Sequence, residues 1–163
     1  MKTRITLMVA MMTIALTAAA MPYSDARNKA LFLSDKMAYE LNLTKPQLEA
    51  VYEINLDYLL NIDDESDVFG YQWEIRNRDL AQVLSNSQYN NYQASEWFCR
   101  PFTCDENGWT LAVNNRYKEG QFFMDKPNVY LSYQGGHNQM ETSFYAGQNF
   151  EETNDTMYLG QVK

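Results

Sequence analysis

The apolar positions of this chain keep helical spacing over its first hundred residues and then give way to aromatic and β-branched runs. Across residues 24–42, Ala30, Leu33, Met37 and Leu41 form one stripe, widened by Leu31 and Ala38. That spacing predicts a helix with one buried face, capped by Ser24 or Asp25. A second helix is predicted from Thr44, with Pro46 in its first turn, where a missing N–H does no harm. Leu48, Val51, Tyr52, Leu59 and Ile62 share its inner face, with Ile54 and Leu56 broadening it. Asn61 to Gly70 interrupts the pattern. A third helix is predicted over Tyr71–Val83. A fourth opens at Ser85, carries Tyr89, Tyr92 and Trp97, and ends at Arg100-Pro101, because the residue before proline avoids the helical region.

Beyond Cys104 the texture changes. Within residues 105–134, Trp109–Tyr117, Gln121–Met124 and Val129–Tyr133 are separated by turn-like Lys118-Glu119-Gly120 and Lys126-Pro127-Asn128. They read as a short aromatic β-hairpin or extended segments packed on the helices. Residues 135–163 are rich in Gly, Asn, Gln, Glu and Thr and read as a flexible tail. The fold class expected is therefore mainly α: two helical hairpins, about four helices, over residues 21–104, then the aromatic segment and the tail.

One phrase occurs twice. Leu43-Thr44-Lys45-Pro46-Gln47-Leu48 returns as Leu84-Ser85-Asn86-Ser87-Gln88-Tyr89. Thr44 and Ser85 stand where an N-cap accepts a hydrogen bond from a free backbone N–H. Gln47 and Gln88, three residues on, reach back to the cap. The preceding leucine suits a staple to the residue four positions into the helix, Leu43 to Leu48 and Leu84 to Tyr89.

Lys2 and Arg4, the apolar run Ile5–Thr17 and Ala18-Ala19-Ala20 have the layout of a cleavable export signal over residues 1–20. The expected location is periplasmic or secreted, with no membrane span in the mature chain. A formal net charge of −8 argues against nucleic acid or an anionic bilayer as partner. In an oxidising compartment Cys99 and Cys104 are either a short disulfide loop or two half-buried thiols.

The two phrases resemble the LTxxQ motifs of the Spy/CpxP family, small periplasmic helical proteins, over about half of the chain. The second copy here has serine in place of threonine. The resemblance implies helical hairpins, a cradle-shaped homodimer, and ATP-independent chaperoning or damping of envelope-stress signalling. The family's cradle is basic, whereas residues 21–104 here carry 7 basic and 13 acidic side chains. Partners would be unfolded or specific proteins, with no cofactor and no enzymatic step. Leu43, Thr44, Gln47, Leu84, Ser85 and Gln88 would set the architecture.

A holding surface needs apolar, adaptable side chains with polar tips. Met37, Tyr52, Tyr58, Trp73, Tyr89, Tyr92 and Trp97 are the candidates, against the plainer alternative that such a stripe is core. The alternative function is an envelope interaction protein that docks its partner through the aromatic C-terminal segment. Asp63, Glu65, Asp67 and Glu74 fall at positions one, three, five and twelve of a calcium-type loop, but Val68 stands where that loop needs glycine, so a solvated acidic loop is expected and no metal. His137 is the only histidine, sits between glycine and asparagine, and reads as solvent-facing with no nucleophile beside it.

Overall fold

The computed structural model describes residues 20–151; the first 19 residues of the predicted export signal and residues 152–163 lie outside them. The molecule is mainly helical. α1 (Tyr23–Leu41) and α2 (Lys45–Leu60) form an antiparallel hairpin, and α3 (Tyr71–Val83) and α4 (Asn86–Ala94) form the second. A one-turn α5 (Glu96–Cys99) follows, then strands β1 (Phe102–Asp105) and β2 (Gly108–Leu111). The two strands pair antiparallel, with Phe102 opposite Leu111 and Cys104 opposite Trp109.

Local chemistry places the helix ends. α1 stops where Asn42 turns left-handed (φ 52°, ψ 54°), a conformation asparagine tolerates. Only Asn42, Leu43 and Thr44 then separate it from α2, so the helices must lie side by side. Between α2 and α3 the chain turns through a 3-10 segment, Glu65–Asp67. The acids of the calcium-type spacing are used inside that turn. Asp67 accepts the N–H groups of Asp63 and Asp64, and Asp64 accepts that of Ser66. Buried Val68 anchors the turn, its carbonyl accepting the Tyr58 hydroxyl at 2.5 Å.

Two expectations change. The fourth predicted helix is two helices. At Ser95 the backbone leaves the helical region (ψ 96°) and the hydroxyl donates to the Asn91 carbonyl, so α5 starts in a new direction. The hairpin also begins earlier than residue 105, at Phe102, which is wholly buried. Gln121–Met124 and Val129–Tyr133 form no strand, Met124 making a single β-bridge. They belong to an irregular strap, residues 112–151, with short 3-10 turns at Ala112–Asn115, Asn128–Tyr130 and His137–Gln139. Residues 135–151, expected within the flexible tail, pack along α2. Among the described residues no helix is long and apolar enough to cross a membrane.

Candidate functional site

Both repeated phrases build complete capping boxes. Thr44 Oγ1 accepts from Gln47 N at 3.2 Å while Gln47 Oε1 accepts from Thr44 N at 2.9 Å. Ser85 and Gln88 repeat this with the same two distances. Leu43, Leu48 and Leu84 are buried, with Tyr89 packed against the same core. The two boxes also meet. Gln47 Nε2 donates to Gln88 Oε1 and to the Val83 carbonyl that ends α3. Gln88 Nε2 donates to Gln47 Oε1 and to the Leu41 and Asn42 carbonyls that end α1. Each glutamine thus opens its own helix and closes the helix of the other hairpin, with every amide donor and acceptor occupied.

The strap is fixed by carboxylates on α1 and α2. Starting beside the end of α1, Tyr117 donates to Glu40 at 2.5 Å. The strap then runs back along α1, where Asp35 accepts the N–H groups of Phe123 and Met124. It crosses to α2, where Glu49 accepts those of Asn128 and Val129. Asp57 takes the Gly136 and Asn138 N–H groups and the Tyr133 hydroxyl. Gly135 allows this approach: its φ is +100°, and a Cβ there would lie 3.1 Å from Asp57 Oδ1. Finally Glu53 accepts the Tyr145 hydroxyl, and Thr44 donates to the Phe150 carbonyl at 2.7 Å. Burial pushes the Glu53 and Asp57 carboxyls above their ordinary range, against the pull of these hydrogen bonds.

These carboxylates are not among the site residues expected from the sequence. The signal was present, because Glu49, Glu53 and Asp57 stand four apart. Like charges at that spacing oppose each other on an isolated helix, so the stripe calls for donors from elsewhere. His137, expected to face solvent, lies with its ring 3.6 Å from that of Phe144 and its Nδ1 3.0 Å from Glu53 Oε2. The cluster of Glu53, Asp57, Tyr133, His137 and Tyr145 joins the strap to α2.

The strap and the second hairpin also account for most of the aromatic residues singled out as a holding surface. Met37, Tyr52, Tyr58 and Tyr92 are buried, which corrects their assignment to an exposed surface. Tyr52 packs on the strap's Tyr130 with ring centres 5.7 Å apart. Met37 and Tyr92 surround Arg76, a buried cation of α3 that donates to Asn55, to Tyr92 and to the Phe98 carbonyl. No carboxylate among the described residues pairs with it. The Tyr92 hydroxyl is pushed up to about 12, chiefly by burial. A second buried cation, Lys36, holds Asp35 at 2.7 Å and lies over the rings of Phe32, Tyr117, Phe122 and Phe123. These cations are committed to the core.

Trp73, Tyr89 and Trp97 keep part of their surface. Trp73 donates to the Cys99 carbonyl and Trp97 to Glu40. Near them are two large side chains in water, Phe69 at 41 % exposure and Tyr71 at 71 %. Phe69 meets Trp73 edge-on at 5.8 Å and lies under the Arg100 guanidinium at 4.6 Å. Phe69, Trp97, Arg100 and Arg116 line an open cleft of about 420 Å³ between α5 and the first turn of the strap. This aromatic rim is one accessible surface, whereas the inner face of α1 and α2 is covered; Tyr39, Phe122, Leu131 and Met140 are exposed elsewhere.

Cys99, at the end of α5, and Cys104, on β1, are half-buried free thiols, so the disulfide alternative is not the one adopted. Among the described residues no group of His, Cys, Asp and Glu has the arrangement of a metal site. Comparison with protein-family models, with curated proteins and with solved structures gave no match to this chain.

Proposed function

We propose that this chain is an exported, non-enzymatic protein-binding module of LTxxQ type, chaperone-like in action, that holds partly unfolded clients at its aromatic rim. One observation carries the reading. Phe69 stands in water against half-buried Trp73 and lines an open cleft with half-buried Trp97, and Tyr71, two residues on, is 71 % exposed at the start of α3. Apolar bodies with polar tips, rimmed by charge, suit contact with varied unfolded segments. The joined capping boxes support the architectural half of the resemblance, since they make one frame of two hairpins.

The alternative, docking of a partner through the aromatic C-terminal segment, is less favoured. Tyr130 and Tyr145 of the strap are buried against the chain's own helices and Trp109, Tyr117, Phe123 and Tyr133 are partly so, which leaves Phe122 as the exposed aromatic residue of residues 105–134. The test is aggregation of an unrelated, chemically denatured client at stoichiometric amounts of the full chain. Suppression is expected, and the Phe69→Ser/Tyr71→Ser double variant, altered only at exposed sites, should lose most of it. A wild-type chain that leaves aggregation unchanged overturns the reading.

A further inference from the structure

The cleft between α5 and the strap is lined by more basic than acidic side chains. The chain is acidic overall, at −8, yet two guanidinium groups converge here. Arg100 lies 4.6 Å from the centre of the Phe69 ring, and Arg116 lies 3.7 Å from that of Trp97. A guanidinium stacked on a ring is held by its face, while its N–H edges remain free to donate in pairs. Among the described residues Arg100 has no ion pair, and Arg116 reaches only Glu40, at 3.7 Å. Arg116 is 45 % exposed. Thr103 and Asn115 add neutral polar groups to the walls, and Glu96 supplies the cleft's single acid.

We infer that this cleft binds an acidic peptide segment in which a carboxylate neighbours an aromatic residue, the carboxylate on Arg100 and Arg116 and the ring against Phe69 and Trp97. The inference rests on the protein-binding reading and narrows it to a partner chemistry. Paired N–H donors match the two oxygens of a carboxylate, and the rings beneath exclude water from one side of the contact. Glu96 opposes the same ligand, so it acts as a brake on affinity. A basic segment would reverse both signs: it would gain from Glu96 and be repelled by the arginines.

The experiment uses a short fluorescein-labelled peptide containing Asp-Phe-Glu and its Asn-Phe-Gln counterpart, with binding to the full chain read by anisotropy. The acidic peptide should bind about tenfold more tightly than the neutral one. Arg100→Gln and Arg116→Gln should each erase most of that preference. Glu96→Gln should strengthen acidic binding, and Lys118→Gln, an equal charge change at an exposed site outside the cleft, should leave it alone. Equal binding of the two peptides, or arginine variants indistinguishable from wild type, overturns the inference. The aggregation assay separates the two claims. Suppression without acidic preference removes the inference and leaves the protein-binding reading in place. Loss of suppression together with loss of all peptide binding removes both.

Discussion

Gln47 and Gln88, 41 residues apart, hold each other by two side-chain hydrogen bonds of 2.6 and 3.0 Å. Each is at once the back half of a helix cap and a cap for the opposite hairpin's last carbonyls. The pair therefore couples two local signals into one tertiary contact. Gln47 is buried, so Gln47→Ala strands the Val83 carbonyl and the Thr44 N–H, at a cost of about 1–3 kcal/mol. Because the two residues share their partners, the Gln47→Ala/Gln88→Ala double variant should lose less than the sum of the single losses, by about 0.5–3 kcal/mol. Denaturant unfolding of the four chains measures this. Strict additivity would mean that the two caps act independently.

Thr44 does more than its counterpart. Its hydroxyl accepts from Gln47 N and donates to the Phe150 carbonyl, so one side chain ties the end of the strap to the start of α2. Thr44→Ala should cost about 0.5–2 kcal/mol for the cap alone, with the strap contact in addition. Ser85→Ala loses its cap and should cost less. The ordering is read from urea midpoints, and equal midpoints would remove the Phe150 contact from the account.

These caps are legible in the sequence because a capping box is written within four residues. The three-residue link between α1 and α2 is legible for the same reason. The burial of Tyr52 and Tyr58 is not, because no helix shows from its own spacing what will cover it. Tyr52 is sealed by Tyr130, 78 residues later, and Tyr58 by the turn at Val68. The strap itself has no period to detect. Six of its backbone N–H groups go to carboxylates of α1 and α2 and others close short turns, so it needs neither a long helix nor a sheet. Asparagine and glycine near residue 135, which suggest a mobile tail, are there because Gly136 N and Asn138 N must reach Asp57.

The strap carboxylates give a pH dependence of definite sign. Glu53 and Asp57 have folded pKa values raised by burial, so the folded state binds their protons more tightly than the unfolded chain does. Lowering the pH from neutral through those raised values should increase stability, until the ordinary carboxylate range near 4 is reached, below which these two groups add nothing further. The groups facing Glu53 are Tyr145, His137 and Asp57, and those facing Asp57 are Tyr133, His137 and the Gly136 and Asn138 amides. Melting temperature against pH is the readout. A fall in melting temperature over that window, with Glu53→Gln showing the same fall, would contradict this assignment.

The two acids should respond differently to replacement by the amide, which, unlike a single proton on the acid, puts a fixed NH2 group in the place of one oxygen. Glu53→Gln keeps an acceptor for the Tyr145 hydroxyl and the His137 ring and removes a half-buried charge, so stability at neutral pH should hold or rise. Asp57 accepts three donors on its two oxygens, and an amide in its place turns one acceptor into a donor facing a donor. Asp57→Asn should cost about 1–3 kcal/mol. Thermal melts of both variants at one neutral pH decide it. Matching losses would mean that charge, and not donor matching, fixes the strap.

The claim that clients meet the aromatic rim is tested most directly by hydrogen exchange of the full chain, alone and with a denatured client in excess. Slowed exchange is expected in residues 68–74 and 96–104, with the α1 and α2 amides beneath the strap unchanged. A complex that protects α1 and α2 while the rim exchanges as it does in the free protein would contradict it.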